Sequence, residues 1–174
     1  MIFRNSCNET IKVKKIHNNA MVPTRGSEYA AGCDLYACLD EDVTIRPFNT
    51  YKINTGICME FPDGYFGAIF ARSGLATKQG LRPANCVGVI DADYRGEIIV
   101  ALHNDTEENQ TVHNGDRIAQ FVLLPYENIS FEEVEELSDT IRGAGGFGST
   151  GVNSADFGQK VEKFEQLNLF NKME

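Results

Sequence analysis

The chain has 174 residues, of which 42% are hydrophobic, and a formal net charge of -9 at pH 7. This length predicts one domain with a core large enough to need no disulfide or structural metal. The negative charge argues against direct binding of DNA or RNA, because a nucleic-acid partner requires a basic face.

The cysteines and the N-terminus indicate a cellular compartment. Five cysteines are present without a C-x-x-C pair, and the three histidines are scattered, so neither a disulfide framework nor a histidine metal site is expected. The N-terminal sequence MIFRNSCNETIKVKK lacks an apolar signal segment, and no stretch is apolar enough to span a membrane. We therefore expect a cytoplasmic protein with no membrane partner.

Short segments with alternating apolar residues recur along the chain and predict β-strands. Turn signals such as Asp63-Gly64 and Asn114-Gly115 separate them. In chain order, the predicted strands are 11–13, 43–45, 51–53, 57–59, 65–69, 98–102, 118–124 and 129–134. Many short strands at this spacing favour an all-β sandwich, jelly roll or barrel.

One helix is expected, after Gly151, where Phe157, Val161, Phe164 and Leu167 recur at helical spacing. We predict three parts from this pattern. They are a β body over residues 1–141, a glycine-rich segment over 142–151 and a C-terminal tail over 152–174 with a short helix.

Three polar segments interrupt the predicted strands: AGCDLYA (31–37), ARSGLATK (71–78) and NCVGVIDADYRGE (85–97). Each places charged or hydroxyl side chains where a strand gives way to a turn, which is a common position for functional sites. Simpler interpretations remain open for each one. Ser73-Gly74 fits an ordinary turn, Asp91 and Asp93 fit turn caps or solvent-facing residues, and Asp34 fits a local turn hydrogen bond.

The three segments taken together favour phosphate chemistry. Arg72 is a forked donor suited to phosphate, and Ser73 and the amide of Gly74 add two more donors. Asp91 is a carboxylate that follows an apolar run, and the aromatic Tyr94 comes three residues later. An anion-binding loop with a nearby carboxylate base is typical of metal-assisted hydrolysis of a phosphate anhydride.

The segment RGAGGFGSTG (142–151) is either a flexible linker or a phosphate-binding loop. It is not a Walker A motif, because it lacks G-K-[ST]. Its glycine amides, Arg142, Ser149 and Thr150 would suit phosphate oxygens. Phe147 has no phosphate role, but it would suit stacking on a nucleobase, which favours a nucleotide lid over a linker.

Five segments of the chain resemble, in this order, the five motifs of the trimeric dUTPase family; they are AGCDLYA, ARSGLA, NCVGVIDADYRGE, GDRIAQ (115–120) and RGAGGFGSTG. The resemblance covers roughly residues 9–151. The resemblance implies a distorted jelly-roll β-barrel, a homotrimer with active sites at subunit interfaces, and Mg²⁺-dependent hydrolysis of dUTP to dUMP and pyrophosphate. Such an enzyme limits uracil incorporation into DNA and supplies dUMP for thymidylate synthesis.

The resemblance also implies roles for individual residues. Asp91 matches the carboxylate that activates water for attack on the α-phosphorus, and Asp34 matches a residue that reaches Mg²⁺ through water. The implied substrate contacts are Arg72, Ser73, Gly74 and Gln120 for the phosphates, Asn85 with the backbone of Val89, Ile90 and Asp91 for uracil, Tyr94 for deoxyribose, and Arg142, Phe147, Gly148, Ser149 and Thr150 in the lid.

Two other functions remain as alternatives. A dCTP deaminase has a similar fold, but it needs a group that protonates leaving ammonia, for which no motif is visible. A regulatory protein that binds dUTP without hydrolysing it would not need the carboxylate of Asp91.

The tail contains QLNLF, made of Gln166, Leu167, Leu169, Phe170 and the intervening Asn168. This pentapeptide resembles the Q-L-x-L-F peptide by which bacterial proteins dock on the DNA sliding clamp, where apolar anchors enter a groove. The same residues also fit the apolar side of a terminal helix. Clamp docking is therefore one of two interpretations of the tail.

Overall fold

The computed structural model describes residues 9–140 and 142–146, which contain twelve strands and one helix. The strands are β1 (Lys12–Lys15), β2 (Thr24–Arg25), β3 (Cys33–Tyr36), β4 (Val43–Ile45), β5 (Thr50–Asn54), β6 (Ile57–Glu60), β7 (Tyr65–Phe70), β8 (Leu81–Pro83), β9 (Gly88–Ile90), β10 (Ile99–Asn104), β11 (Gln110–Val112) and β12 (Arg117–Pro125). The helix α1 spans Ser73–Gln79. The all-β class predicted from the sequence is therefore confirmed, with one short helix added.

The strands pair into four antiparallel sheets. Their orders are β1-β6, β5-β10-β8, β11-β4 and β2-β3-β12-β7-β9. The five-stranded sheet positions the functional segments, since β3, β12, β7 and β9 belong to or adjoin four of them. In its register, Gln120 of β12 is paired with Asp34 of β3 on one side and with Phe70 of β7 on the other.

One apolar cluster joins the sheets. Leu35, Ile53, Leu102 and Ile118, from four different strands, are each at most 1% exposed. Full burial of such side chains stabilises the fold by roughly 1.5–3 kcal/mol each. The alternation of buried and exposed residues along β10 is the periodicity on which the strand predictions depend.

The predicted strands from 11–13 to 118–124 are confirmed, and their ends differ from the prediction by at most two residues. No strand is predicted at β2, β3, β8, β9 or β11. These strands have only two to four residues, so their periodicity is weak against that of the adjoining turns.

The predicted strand at 129–134 is wrong, since no strand includes these residues. The segment has strand-like apolar spacing, but Ile129, Phe131 and Val134 are 66%, 92% and 50% exposed. An extended segment forms a strand only when a neighbour accepts its backbone hydrogen bonds. The compact unit that contains the described strands ends at Ile129, and a second unit covers Ser130–Glu174.

Helix α1 is not expected from the sequence, because Ser73-Gly74 indicates a turn or an anion-binding loop. The helix ends at Gly80, whose φ of 63° is left-handed and whose N–H donates to the carbonyl of Leu75. Its residues include no fully buried side chain, so it has no apolar stripe of the kind that reveals helices in a sequence. Gly80 is the feature of the sequence that indicates the end of a helix here.

The expected C-terminal helix lies outside the described residues. Among the residues that the structure does describe, no helix is both long and apolar enough to cross a membrane.

Candidate active site

A cluster of one carboxylate and two arginines lies where β3, β7 and β12 adjoin. Arg72 donates from Nε to Asp34 Oδ1 at 2.8 Å, and Arg117 donates from Nη1 to Asp34 Oδ2 at 3.3 Å. Arg72 also donates from Nη1 to the carbonyl of Arg117 at 3.1 Å. The Asp34 side chain is only 14% exposed, whereas that of Arg117 is 53% exposed. Two cations share one anion here, so the cluster is suited to an anionic ligand.

Gln120 connects the first, second and fourth motifs. Its Nε2 donates to the carbonyl of Ala71 at 2.9 Å. Its Oε1 lies so close to Gly32 that a Cβ on that glycine would be 2.8 Å away. A side chain at position 32 in AGCDLYA would therefore displace the amide end of Gln120, a contact that the sequence does not reveal.

The start of α1 provides further donors beside the cluster. Arg72 is the extended N-cap residue, and its side chain makes no capping hydrogen bond. Ser73 and Gly74 are exposed, and no atom lies within 4 Å of the position of a Cβ on Gly74. The amides of a first helical turn have no partners within the helix, so they are available to an acceptor.

The segment expected to contact uracil begins in a turn between two sheets. Strand β8 pairs with β10, whereas β9 pairs with β7, so the turn at 84–87 connects two sheets instead of two paired strands. Cys86 in this turn has a left-handed φ of 60°. Asn85 lies against β9, because a Cβ on Gly88 would be 3.3 Å from its Nδ2.

Asp91 immediately follows β9 and lines a cleft of about 880 Å³. The cleft wall includes Val89 and Phe66, and the charged side chains of Asp93 and Arg95 also line it. A carboxylate beside an apolar wall in a cleft of this size is a common arrangement for a site that binds a small molecule.

The residues after Asp91 form a turn with internal hydrogen bonds. The N–H of Tyr94 donates to the carbonyl of Asp91 at 3.1 Å. Arg95 donates from Nη1 to the carbonyl of Ala92 at 2.7 Å, and the Tyr94 hydroxyl donates to the carbonyl of Glu97 at 3.0 Å. The turn holds the Tyr94 ring in a partly exposed position, with 43% of the residue accessible.

Asp91 and Arg72 lie at different ends of the sheet within one chain. Ile90 is paired with Gly67 in β7, and Asp91 follows beyond that level, whereas Arg72 comes after the opposite end of β7. Gly67 and Phe70, the last residue of β7, are already about 10 Å apart at about 3.3 Å per residue of strand. A single phosphoryl group cannot bridge this distance.

Only part of the predicted lid is described. Arg142 donates from Nε to the carbonyl of Gly145 at 2.8 Å, and Gly143 donates its N–H to the carbonyl of Thr140 at 3.0 Å. The other predicted lid residues and the tail peptide lie outside the described residues; they are Phe147, Gly148, Ser149, Thr150, Gln166, Leu167, Leu169 and Phe170.

Arg117 is the residue of the cluster that the sequence-based assignment omitted. It belongs to GDRIAQ, but only Gln120 of that segment received a role. The sequence places an arginine near the start of a predicted strand, but this does not show where its side chain lies. Only the pairing of β12 with β3 shows that Arg117 is next to Asp34 and Arg72.

The sequence profile of dUTPases matches residues 18–151, a range that includes all five motif segments. The chain belongs to the dUTPase family. Its relatives in that family include two proteins named deoxyuridine 5'-triphosphate nucleotidohydrolase. The one from Desulfitobacterium hafniense is 53% identical over 133 residues, which cover 76% of this chain and 88% of the relative. The one from Syntrophotalea carbinolica is 48% identical over 142 residues, which cover 82% and 97%.

Solved dUTPase structures agree with the family assignment. A variant of the Staphylococcus bacteriophage 80alpha dUTPase with dUpNHpp has a TM-score of 0.76 and 30% identity, and the match covers 82% of this chain and 99% of the phage protein. A variant dUTPase from phage phi11 of S. aureus, whose structure concerns coordination of a structural Mg(II) ion, has a TM-score of 0.68 and 25% identity, with 75% and 99% covered. These neighbours are consistent with the jelly-roll dUTPase class predicted from the motifs.

Proposed function

We propose that this chain hydrolyses dUTP to dUMP and pyrophosphate. Membership in the dUTPase family and the names of its relatives support this activity. The observation that carries the proposal is the pair of sites on one sheet, a two-arginine cluster at Arg72 and a carboxylate cleft at Asp91. The product dUMP would serve thymidylate synthesis, and removal of dUTP would limit uracil incorporation into DNA in the cytoplasm.

Asp91 is the proposed general base. Its carboxylate accepts a proton from water while the water oxygen forms a bond to the α-phosphorus. The bond from the α-phosphorus to the bridging oxygen breaks, and the electron pair leaves with pyrophosphate. A positioned base of this kind typically contributes about 10²–10⁴-fold to the rate.

The cluster around Asp34 is the proposed phosphate site. Arg72 would contact the α- and β-phosphates, with the Ser73 hydroxyl, the Gly74 amide and the Gln120 amide as further donors. Arg72 is held by Asp34 in the folded chain, so its guanidinium is already oriented before the substrate arrives. Such preorganisation lowers the cost of stabilising charge as it develops on the phosphates.

The segment from Asn85 to Tyr94 is the proposed base and sugar site. Asn85 and the backbone of Val89, Ile90 and Asp91 would pair with the uracil edge, and Tyr94 would pack on deoxyribose. A site that hydrogen-bonds the correct base leaves buried groups unpaired with an incorrect one. Discrimination of this kind reaches about 10⁴–10⁵-fold.

The described residues do not offer Mg²⁺ a direct ligand set. Both oxygens of Asp34 already accept hydrogen bonds from arginines, and the described part of the chain has no cluster of three or more metal-ligating side chains. Asp34 therefore fits contact through water and does not fit direct coordination. Mg²⁺ commonly binds through substrate phosphates and keeps several waters, so the ion would arrive with the triphosphate, whose charge it would neutralise.

A homotrimer with shared active sites is the proposed assembly. The separation of Asp91 from Arg72 supports it, because a second copy can bring one group to the other. The exposed apolar side chains of the segment 129–137 also support it, since Phe131 is 92% exposed and Leu137 is 87% exposed. Exposed apolar segments of this kind commonly mark protein–protein contacts.

The proposed lid is the segment 142–151. Arg142, Ser149 and Thr150 would bind the γ-phosphate, Phe147 would cover the uracil, and Gly148 would allow the backbone to approach. Closure of such a lid excludes water from the reaction.

One assay tests the activity against both alternatives. The protein is incubated with Mg²⁺ and dUTP, dCTP or UTP, and pyrophosphate and ammonia are measured. We expect pyrophosphate from dUTP in large excess over the other substrates, and no ammonia. Ammonia from dCTP would indicate a deaminase. Tight dUTP binding without pyrophosphate would indicate a regulatory binding protein, and either result would contradict the proposal.

We also propose that QLNLF, residues 166–170, docks on a bacterial DNA sliding clamp, on the basis of its sequence alone. An immobilised clamp should retain the full chain in a pull-down assay. The variant Leu169→Ala with Phe170→Ala should lose this binding while it keeps full dUTP turnover, because the apolar anchors supply the affinity. Equal retention by both proteins would contradict docking through this peptide.

A further inference from the structure

The ring of Tyr94 lies directly on the backbone of Gly96. A Cβ on Gly96 would lie 2.5 Å from Tyr94 Cζ and 3.0 Å from Cε2, and it would be closer still to the hydroxyl oxygen. Gly96 does not have a left-handed φ, so space and not backbone conformation requires glycine there. Any larger residue would displace the Tyr94 hydroxyl from its position.

The Tyr94 hydroxyl is anchored next to this contact. It donates to the carbonyl of Glu97 at 3.0 Å. The hydroxyl end of the ring is therefore held by its packing against Gly96 and by its hydrogen bond to Glu97. A ring fixed in this way has little freedom to move aside for a bulkier ligand.

Glu97 is in turn tied to the core. Its Oε1 accepts a hydrogen bond from the Gly56 N–H at 2.7 Å, and Gly56 has a left-handed φ of 67°. The next residue, Ile98, is 1% exposed and donates its N–H to the carbonyl of Ile57 at 2.9 Å. The carboxylate also lies near the buried Cys38, where burial raises the pKa of the thiol and the Glu97 charge raises it further.

We propose that Gly96 and Glu97 are positioning residues that set the discrimination between deoxyribose and ribose by holding Tyr94. The inference rests on the proposed function, in which Tyr94 packs on the sugar. A ribonucleotide carries a 2′-hydroxyl that needs room on the face where the ring lies. Neither residue touches the substrate, and both act through the position of Tyr94.

The substitution Gly96→Ala tests the contact, with Gly26→Ala as its matched control. Gly26 has no atom within 4 Å of its Cβ position and no left-handed φ, so the same added methyl group meets nothing. In Gly96→Ala the added methyl group would overlap the Tyr94 hydroxyl, so the hydroxyl loses its hydrogen bond to Glu97 and the ring becomes free to move aside for a 2′-hydroxyl. A displacement of about 1 Å can change a rate by up to about 10²-fold. We expect the ratio of kcat/KM for dUTP to that for UTP to fall by about 10- to 100-fold, mainly through a lower KM for UTP, and to be unchanged in Gly26→Ala.

A second pair of variants tests the anchor. Glu97→Gln keeps an oxygen that accepts from the Gly56 N–H, so its substrate ratio should stay within about threefold of the wild-type value, because the amide oxygen replaces the lost acceptor. Glu97→Ala leaves that N–H without its acceptor, so its ratio should fall like that of Gly96→Ala. Thermal melting followed by circular dichroism identifies any variant that is unfolded. The substrate ratios of the folded variants then test the positioning role.

The outcomes separate the two proposals. A wild-type protein that does not convert dUTP would contradict the proposed function itself. A wild-type protein that prefers dUTP, together with folded Gly96→Ala and Glu97→Ala variants that keep the wild-type ratio, would overturn the positioning role alone. A loss of dUTP turnover in Gly96→Ala without any gain in relative UTP turnover would also overturn it, since such a loss indicates a general structural role.

Discussion

Asp91→Asn is expected to lower dUTP turnover by about 10²–10⁴-fold while substrate binding is retained. Asparagine has nearly the shape of aspartate, but its amide cannot accept a proton from water. The position of the residue after β9, on the wall of the cleft, is not required by the core. Steady-state release of pyrophosphate gives kcat, and calorimetric titration with a non-hydrolysable dUTP analogue gives the affinity.

Asp93→Asn is the matched control. Asp93 is exposed, lies two residues further in the same turn and lines the same cleft, so the two variants change charge equally and differ only in the position of the lost carboxylate. We expect near-normal turnover for Asp93→Asn. Near-normal turnover for Asp91→Asn would refute its role as the base, whereas an equal loss in both variants would indicate that the charge of the cleft matters and not one carboxylate.

Mixed assemblies of Asp91→Asn and Arg72→Ala chains are expected to recover activity that neither variant has alone. Asp91→Asn removes the proposed base and Arg72→Ala removes the phosphate donor. Loss of a preorganised donor such as Arg72 lowers kcat by about 10²–10³-fold. If each site takes Asp91 from one subunit and Arg72 from another, every mixed closed ring of three subunits keeps one intact site, which is about a third of its sites. If both groups came from one chain, no intact site would form.

The experiment requires chains that exchange or assemble together. The two variants are expressed in one cell with different affinity tags, and assemblies that carry both tags are isolated by sequential purification. Activity is compared with that of each variant alone and with a wild-type assembly that carries the same tags. Mixed assemblies with no more activity than the separate variants would contradict the shared site, as would a fully active monomer in sedimentation.

The strands with regular alternation could be predicted from the sequence, because alternation between core-facing and solvent-facing side chains involves only neighbouring residues. Residues such as Val100 and Leu102 face the core while Ile99 faces outward, and alternation of this kind is visible in any short window. The segment 129–134 has the same pattern and is not a strand. Pairing requires a neighbouring backbone, and apolar spacing alone does not reveal whether one is present.

The candidate site divides in a similar way. The chemistry proposed for Asp91, Arg72 and Ser73 rests on the sequence, because residue type and motif order suggest it. The role of Arg117 could not, since its guanidinium meets Asp34 only through the pairing of two strands that are far apart in sequence. The crowding of Gly96 by Tyr94 also could not be predicted, because it depends on the direction of one side chain.

The sequence by itself determined the all-β class, the family through its five ordered motifs, and the residue types that suit phosphate hydrolysis. These properties depend on local periodicity and on the identity of side chains, and both follow from the order of the amino acids without a structure. Only the tertiary structure decided that Asp34 is held by two arginines, that α1 follows Arg72, and that Asp91 lies at the other end of the sheet from Arg72. Strand register sets these distances, and register results from long-range pairing and core packing that no short window of sequence contains.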